Sequence, residues 1–208
     1  MGMIDIYEFI EVLNEASQPD DIINPGASGV TSSIFWQTWK VKEGQRLINN
    51  FVLGEMGAGL PASIGAALAT GRRVIQIEGD GGFQLNVQEL QIVKNLNLPI
   101  IMFVINNDGY GSIRMSQMQH FSRLTGADST SGLILPTLNC VARAYDIHWT
   151  SDAFYGSLEE MVEYTLLCKD EPYICEVFVN SNQEYKYRSK TTIKNGKPVS
   201  EGLCYQEN

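Results

Sequence analysis

Two periods of hydrophobicity alternate along the chain. Short, nearly continuous apolar runs predict buried strands, and stretches in which apolar residues recur every three or four positions predict helices. Residues 4–16 place Ile6, Phe9, Ile10 and Leu13 on one helical face with acidic residues between them, so a leading amphipathic helix is expected. Residues 20–23 read as a short strand that ends in the turn cluster Asn24-Pro25-Gly26-Ala27-Ser28-Gly29. A second strand is expected over 48–53 and a turn over 54–59, followed by an Ala-rich helix over 60–69 with Pro61 in its first turn, where a missing N–H costs nothing. Further strands are expected at 74–77, 100–105, 147–150 and 173–179, and helices at 84–97, 113–121, 138–145 and 158–167. This βα alternation predicts an α/β fold, a three-layer sandwich with a mostly parallel central sheet, over residues 1–180. A polar C-terminal tail follows over 181–208, with a turn signal at Asn195-Gly196.

The chemistry gathers at two turns. Gly79-Asp80-Gly81-Gly82 follows the strand at 74–77, and Asn106-Asn107 closes the strand at 100–105. Both clusters therefore lie at carboxyl ends of sheet strands, where open α/β sheets place their ligands. Glycines let a ligand approach the backbone, and helix-start N–H groups favour phosphate. A carboxylate, an amide oxygen and loop carbonyls together suit Mg²⁺, which takes hard oxygen ligands and draws the rest from phosphates. A rival pattern is present in Gly57-Ala58-Gly59-Leu60-Pro61-Ala62, which matches the dinucleotide fingerprint G-x-G-x-x-A, with Glu78 about twenty residues on. On that reading the chain is a non-catalytic, Rossmann-like nucleotide-binding module, but Asp80 and Asn107 are left without a task. Leu85, Leu90, Val93 and Leu96 read as packing residues, Glu89 as an exposed or capping carboxylate and His148 as structural, while His120, on the segment after the double Asn, draws more interest but as a lone His is weak evidence for a site.

Composition narrows the classes. The 208 residues are ample for a core, and the 44% hydrophobic content is that of an ordinary globular protein. Fifteen Lys and Arg against 24 Asp and Glu leave a net charge of −9, which argues against a nucleic-acid partner. Any diphosphate must then be held by local N–H groups and a metal. No apolar run approaches the ~18 residues of a membrane span, and no leader pattern opens the sequence. The four cysteines, Cys140, Cys168, Cys175 and Cys204, show no C-x-x-C spacing and are expected to be free thiols in a cytoplasmic protein.

Gly79-Asp80-Gly81, followed 27 positions after Asp80 by Asn107 in a double Asn, resembles the thiamine diphosphate motif of the acetolactate synthase, pyruvate decarboxylase and pyruvate oxidase superfamily. Gly54-Glu55-Met56-Gly57-Ala58-Gly59-Leu60-Pro61-Ala62-Ser63-Ile64-Gly65-Ala66 resembles the segment that precedes it there. The similarity is closest to the acetolactate synthase branch and covers only its diphosphate-binding domain. It implies thiamine diphosphate and Mg as cofactors, with the metal held by Asp80, Asn107 and the carbonyl of Gly109. It implies cofactor contacts from Gly26, Ala27, Ser28, Gly54, Met56, Gly79, Gly81, Gly82, Tyr110 and Gly111, with Met56 wedged beneath the thiazolium. Left to the residues alone, the rival reading of Met56 is a core gap-filler. The implied chemistry is decarboxylation or carboligation of a 2-oxo acid, with activation by a Glu from a separate pyrimidine-binding domain or subunit. No segment resembles that domain, so no catalytic residue is assigned, and a homo- or hetero-oligomer is expected. Arg114-Met115-Ser116-Gln117-Met118-Gln119 lacks the Trp that acetolactate-forming relatives carry in this lid, and Arg114 is left as a candidate for holding a substrate carboxylate. Glu55 stands where relatives often have Thr, and the tail resembles a basic arm that ends family members.

Overall fold

A computed structural model describes residues 3–27, 29–49, 53–168, 170–194 and 197–205. Six parallel strands form the central sheet in the order β2-β1-β3-β4-β6-β5. They are β1 (Ile22–Asn24), β2 (Arg46–Leu47), β3 (Val74–Gly79), β4 (Ile100–Asn106), β5 (His148–Ser151) and β6 (Tyr173–Phe178). Helices cover both faces, as parallel sheets require. The α1 (Ile6–Ala16), α2 (Gly29–Thr38) and α8 (Leu158–Leu167) helices pack on one face. The α3 (Gly59–Thr70), α5 (Leu90–Asn95) and α7 (Leu138–Ala144) helices pack on the other. Between them in sequence lie α4 (Asp80–Gln84), which continues β3, and α6 (Gly111–Phe121), which follows β4. The three-layer α/β architecture expected from the alternation is thus present.

The strand period of two divides the core. On β4, Ile101, Phe103 and Ile105 join the α1/α2/α8 side, whereas Ile100, Met102 and Val104 join the α3/α5/α7 side. Each of the six is at most 1% exposed, so the run carries no amphipathic alternation of its own and reads as continuously apolar. Local signals set the helix ends. Asp5 caps α1 by accepting from the N–H groups of Tyr7 and Glu8, and Gly71 closes α3 at φ 65° with its N–H on the Ala67 carbonyl.

Two expectations are corrected. The second strand is not at 48–53 but at Arg46–Leu47, because the register that pairs Ile22 with Arg46 and Ile23 with Leu47 ends the ladder there; the Ile48 N–H adds one last bond to the Ile23 carbonyl, and residues 50–52 lie outside the described residues. The single helix expected over 84–97 is three pieces: α4, a 3-10 turn at Val87–Glu89, and α5. The break falls at Asn86, whose φ of −133° leaves the helical path while its side-chain Nδ2 donates to the Gly57 carbonyl at 2.8 Å. In the C-terminal tail, β7 (Tyr187–Lys194) and β8 (Lys197–Tyr205) pair as an antiparallel hairpin. Asn195 and Gly196, the expected turn, lie outside the described residues.

Candidate functional site

The site forms where β3 and β4, paired in parallel from Val74↔Ile100 to Gly79↔Ile105, end side by side. Asp80 opens α4 after Gly79, and Asn107 follows the last residue of β4, so two adjacent strands deliver a carboxylate and an amide to one place. Both are buried, at 8% and 7% exposure. Asp80 Oδ1 accepts from the Gly81 N–H and Oδ2 from the Gly109 N–H, each at 2.8 Å. Burial nevertheless pushes its carboxyl up to about 6, the two N–H groups only partly offsetting the lost hydration. Asn107 Oδ1 is buried and accepts no hydrogen bond from any described residue. A buried orphan acceptor is costly, and beside a desolvated carboxylate it is the arrangement a cation relieves.

The loop between β4 and α6 is shaped by its own residues. Asn106 Oδ1 accepts from the Asp108 N–H at 3.1 Å, Asp108 sits at φ 63° and Gly109 at φ 112°. Only glycine fits at 109, since a Cβ there would lie 2.6 Å from the Ala127 carbonyl oxygen. The Gly109 carbonyl accepts from the Gly111 N–H at 3.2 Å and keeps a second lone pair. The Tyr110 N–H donates to the Ala127 carbonyl at 2.8 Å.

Met56, Gly79, Gly81, Gly82, Asn107, Gly109, Tyr110 and Gly111 line one cleft, whereas Asp80, between Gly79 and Gly81 in the chain, borders a second cavity. Gly29, from the turn cluster at 24–29, completes it together with Val30, Thr31, Ser112 and Ile113, which no motif in the sequence singled out. Met56 is 39% exposed at the cleft and so is not a core filler. The Tyr110 ring lies against the Gly81 backbone, where any side chain would collide with it. The N–H of Gly81, expected on phosphate, is committed to Asp80 instead. Gly26, Ala27 and Gly54 do not line the cleft: Gly26 is packed at φ 59° against Glu78, and a Cβ at Gly54 would meet nothing within 4 Å. Ser28 lies outside the described residues. The enclosed space is about 50 Å³, far below the roughly 300 Å³ at which small-molecule sites begin, so the cleft walls in only part of a cofactor.

Arg114 does not face the cleft as a free cation. It is buried at 6% exposure, and Nη2 donates to the carbonyls of Asn107 at 2.9 Å and Ser181 at 2.6 Å. Nη1 donates to the Asp108 carbonyl at 3.2 Å and lies 3.7 Å from Asp128 Oδ2. The expectation that it holds a substrate carboxylate is therefore replaced by a role inside the loop. The hydroxyls of Ser131 and Thr130 hold the Asp128 carboxyl below its usual range, which keeps it anionic opposite Arg114.

A larger cavity of about 370 Å³ lies behind the same loop, bordered by Asp80, Gly109, Leu133, Trp149 and Glu176. Glu176 is 5% exposed, accepts from Asn106 Nδ2 at 2.7 Å, and has its carboxyl raised by burial. The dinucleotide reading loses its acid here, because Glu78 is 1% exposed, packed against Gly26 and Gly59, and out of reach of a ribose. His120 and His148 are exposed, the latter 3.6 Å from Glu171, and neither lines the cleft. Among the described residues no three His, Cys, Asp or Glu side chains gather into a metal cage.

A family model for the C-terminal thiamine pyrophosphate-binding domain of thiamine pyrophosphate enzymes matches residues 27–177. The chain is 34% identical over 146 residues to acetolactate synthase 2, chloroplastic, of Zea mays, covering 66% of this chain and 22% of that protein. It is 30% identical over 179 residues to the acetolactate synthase large subunit of Lactococcus lactis subsp. lactis (strain IL1403), covering 85% and 30%. The solved structure of a Rhodococcus jostii RHA1 thiamine diphosphate-dependent 4-hydroxybenzoylformate decarboxylase superposes with a TM-score of 0.72 over 88% of this chain and 34% of that one. At 24% identity that likeness speaks for the fold alone. The chain thus spans between about a fifth and a third of the length of these relatives.

Proposed function

The chain belongs to the thiamine pyrophosphate enzymes, as their C-terminal cofactor-binding domain, and from that premise we propose that it holds the diphosphate end of thiamine diphosphate through Mg²⁺ in an acetolactate synthase-like enzyme acting on 2-oxo acids. The observation that carries the proposal is the convergence of buried Asp80 with Asn107, whose Oδ1 accepts no hydrogen bond among the described residues. One carboxylate, one amide oxygen and the free lone pair of the Gly109 carbonyl form a hard-oxygen set that leaves positions for phosphate oxygens and water. When bound, the cofactor supplies the nucleophilic carbon and the electron sink for decarboxylation or carboligation. The chain's part is to bind and orient. Asp80 and Asn107 fix the metal, the glycines at 79 and 82 let the ligand approach the backbone, and Met56 supports it at the cleft edge, with Asn86 pinning the neighbouring Gly57 carbonyl.

A pyrimidine-binding domain or subunit completes the site. The small enclosed volume supports this, as do the exposed apolar side chains of Leu53, Met56, Ile113, Met118 and Phe121 on or near the cleft in sequence. No base for the aminopyrimidine is assigned within the chain.

Titration calorimetry of the chain with thiamine diphosphate, with and without Mg²⁺, tests the proposal. Binding that requires the metal is expected, and equal affinity in EDTA would falsify the roles of Asp80 and Asn107. Alone, the cofactor-saturated chain is expected to show no pyruvate decarboxylation above free thiamine diphosphate and to scatter light as a dimer or larger species. Robust turnover by a monomer would end the half-site reading.

A further inference from the structure

We propose that Arg114 is a positioning residue that holds the β4–α6 loop in its cation-binding shape, an inference that rests on the metal role given above to that loop. Its guanidinium joins three separate segments of the chain. From α6 it reaches back to the carbonyls of Asn107 and Asp108 at 2.9 and 3.2 Å, out to the Ser181 carbonyl beyond β6 at 2.6 Å, and across to Asp128 Oδ2 at 3.7 Å. The charge is buried, at 8% side-chain exposure, and it faces one carboxylate and three carbonyls. The planar fork is what allows several acceptors to be held at once, which a lysine ammonium on a flexible stem does not reproduce.

Turning the Asn107 and Asp108 carbonyls toward Arg114 fixes the two peptide planes that flank Asp108. The Asn107 side chain leaves the backbone on one side of this constraint and Gly109 follows on the other. The stretch with φ 63° at Asp108 and φ 112° at Gly109 is strained at Asp108. Besides Arg114, it is held by the Asx turn from Asn106, the Gly109 N–H on Asp80 Oδ2 at 2.8 Å, the Gly111 N–H on the Gly109 carbonyl at 3.2 Å, the Ser129 hydroxyl on Asp108 Oδ2 at 2.7 Å and the Tyr110 N–H on Ala127, and Ser129 and Ala127 belong to the segment that carries Asp128. Arg114 therefore ties the loop to that segment on one side and to the chain leaving β6 on the other. It acts on the metal through Asn107 and Gly109 and touches neither cofactor nor substrate.

The test compares the full chain with Arg114→Met and Arg114→Lys by two readouts. One is Mg²⁺-dependent affinity for thiamine diphosphate by calorimetry. The other is amide hydrogen exchange by NMR without ligand, which follows the Gly109 and Tyr110 N–H groups against those of β4. Residues that orient a metal's ligands typically change affinity by about 10- to 100-fold, and a loss of about tenfold or more is expected in both variants. Exchange should quicken at Gly109 and Tyr110 while Phe103 and Val104 stay protected. Unchanged affinity, or protection lost equally from β4, overturns the positioning role. If Arg114→Met does not fold, Arg114→Lys carries the same comparison. Failure of the wild-type chain to bind with Mg²⁺ is a different result, which removes the functional reading itself and leaves the exchange pattern to decide whether Arg114 shapes the loop.

Discussion

The two faces of the sheet are built to different rules. Toward α1, α2 and α8, every inward strand residue from Ile23 through Ile75, Ile77, Ile101, Phe103, Ile105, Cys175 and Val177 is buried and apolar or weakly polar. Toward α3, α5 and α7, the strands begin apolar at Ile22, Val74, Ile100 and Ile174, and turn polar toward their carboxyl ends at Asn24, Gln76, Glu78 and Glu176. Burying such groups costs stability unless each finds a partner, and they are unevenly provided for. Asn24 donates to the Gly59 carbonyl at 2.8 Å and to Ser63 Oγ at 2.9 Å, whereas both amide atoms of Gln76 find no partner among the described residues. The dry face secures the fold, and the polar face gives up part of that security beneath the site.

The comparison is broken most directly from the dry side. Phe103 is fully buried and meets the Phe9 ring edge-on at 5.4 Å, so Phe103→Ala should cost about 3–5 kcal/mol in denaturant unfolding. Because its side chain lies in the dry core and lines neither cavity, the affinity of whatever protein stays folded should be unchanged.

On the site side, stability should depend on pH with a definite sign. The folded-state pKa of Asp80, about 6, lies above its ordinary 3.8, so the fold holds this proton more tightly than the unfolded chain does. In metal-free protein its contribution is full below pH 4 and is lost as pH rises through 6, about 3 kcal/mol in all. Urea titrations across that range should show the decline, and Asp80→Asn should flatten it. A curve identical in the variant would assign the burial cost elsewhere.

Asp80→Ala separates the two faces in one molecule. Calorimetry should show at least about a hundredfold weaker Mg²⁺-dependent cofactor binding, while the midpoint of unfolding holds or rises, since a desolvated carboxylate has been removed. Unfolding of this variant would place Asp80 with the dry face's structural residues.

The smallest effect belongs to Gln76. Gln76→Leu keeps the volume and removes two unpartnered polar atoms, so a gain of about 1 kcal/mol is expected by thermal unfolding. A loss would mean that the amide has a partner the folded chain depends on.

Much of this was readable from the residues in order. Period and run length predicted the βα alternation, and the pairing of Gly79-Asp80-Gly81 with Asn107 at a fixed separation brought Asp80 and Asn107 to one place, because parallel strands in register end together. Helix continuity over 84–97 was misread because Asn86 has ordinary local propensity, and its bond to Gly57 is a contact 29 residues away in sequence. The edge strand was misplaced because Ile48 is as apolar as a strand residue should be, while pairing with β1 is what sets the register. Arg114 was misread for the same reason. Its charge is visible in the sequence, but the carbonyls of Asn107, Asp108 and Ser181 that surround it are not. Hydrophobic period and glycine placement are properties of neighbours along the chain, and the sequence alone determined what depends on them. What a buried polar group bonds to depends on residues brought close by folding, and only the tertiary structure decided that.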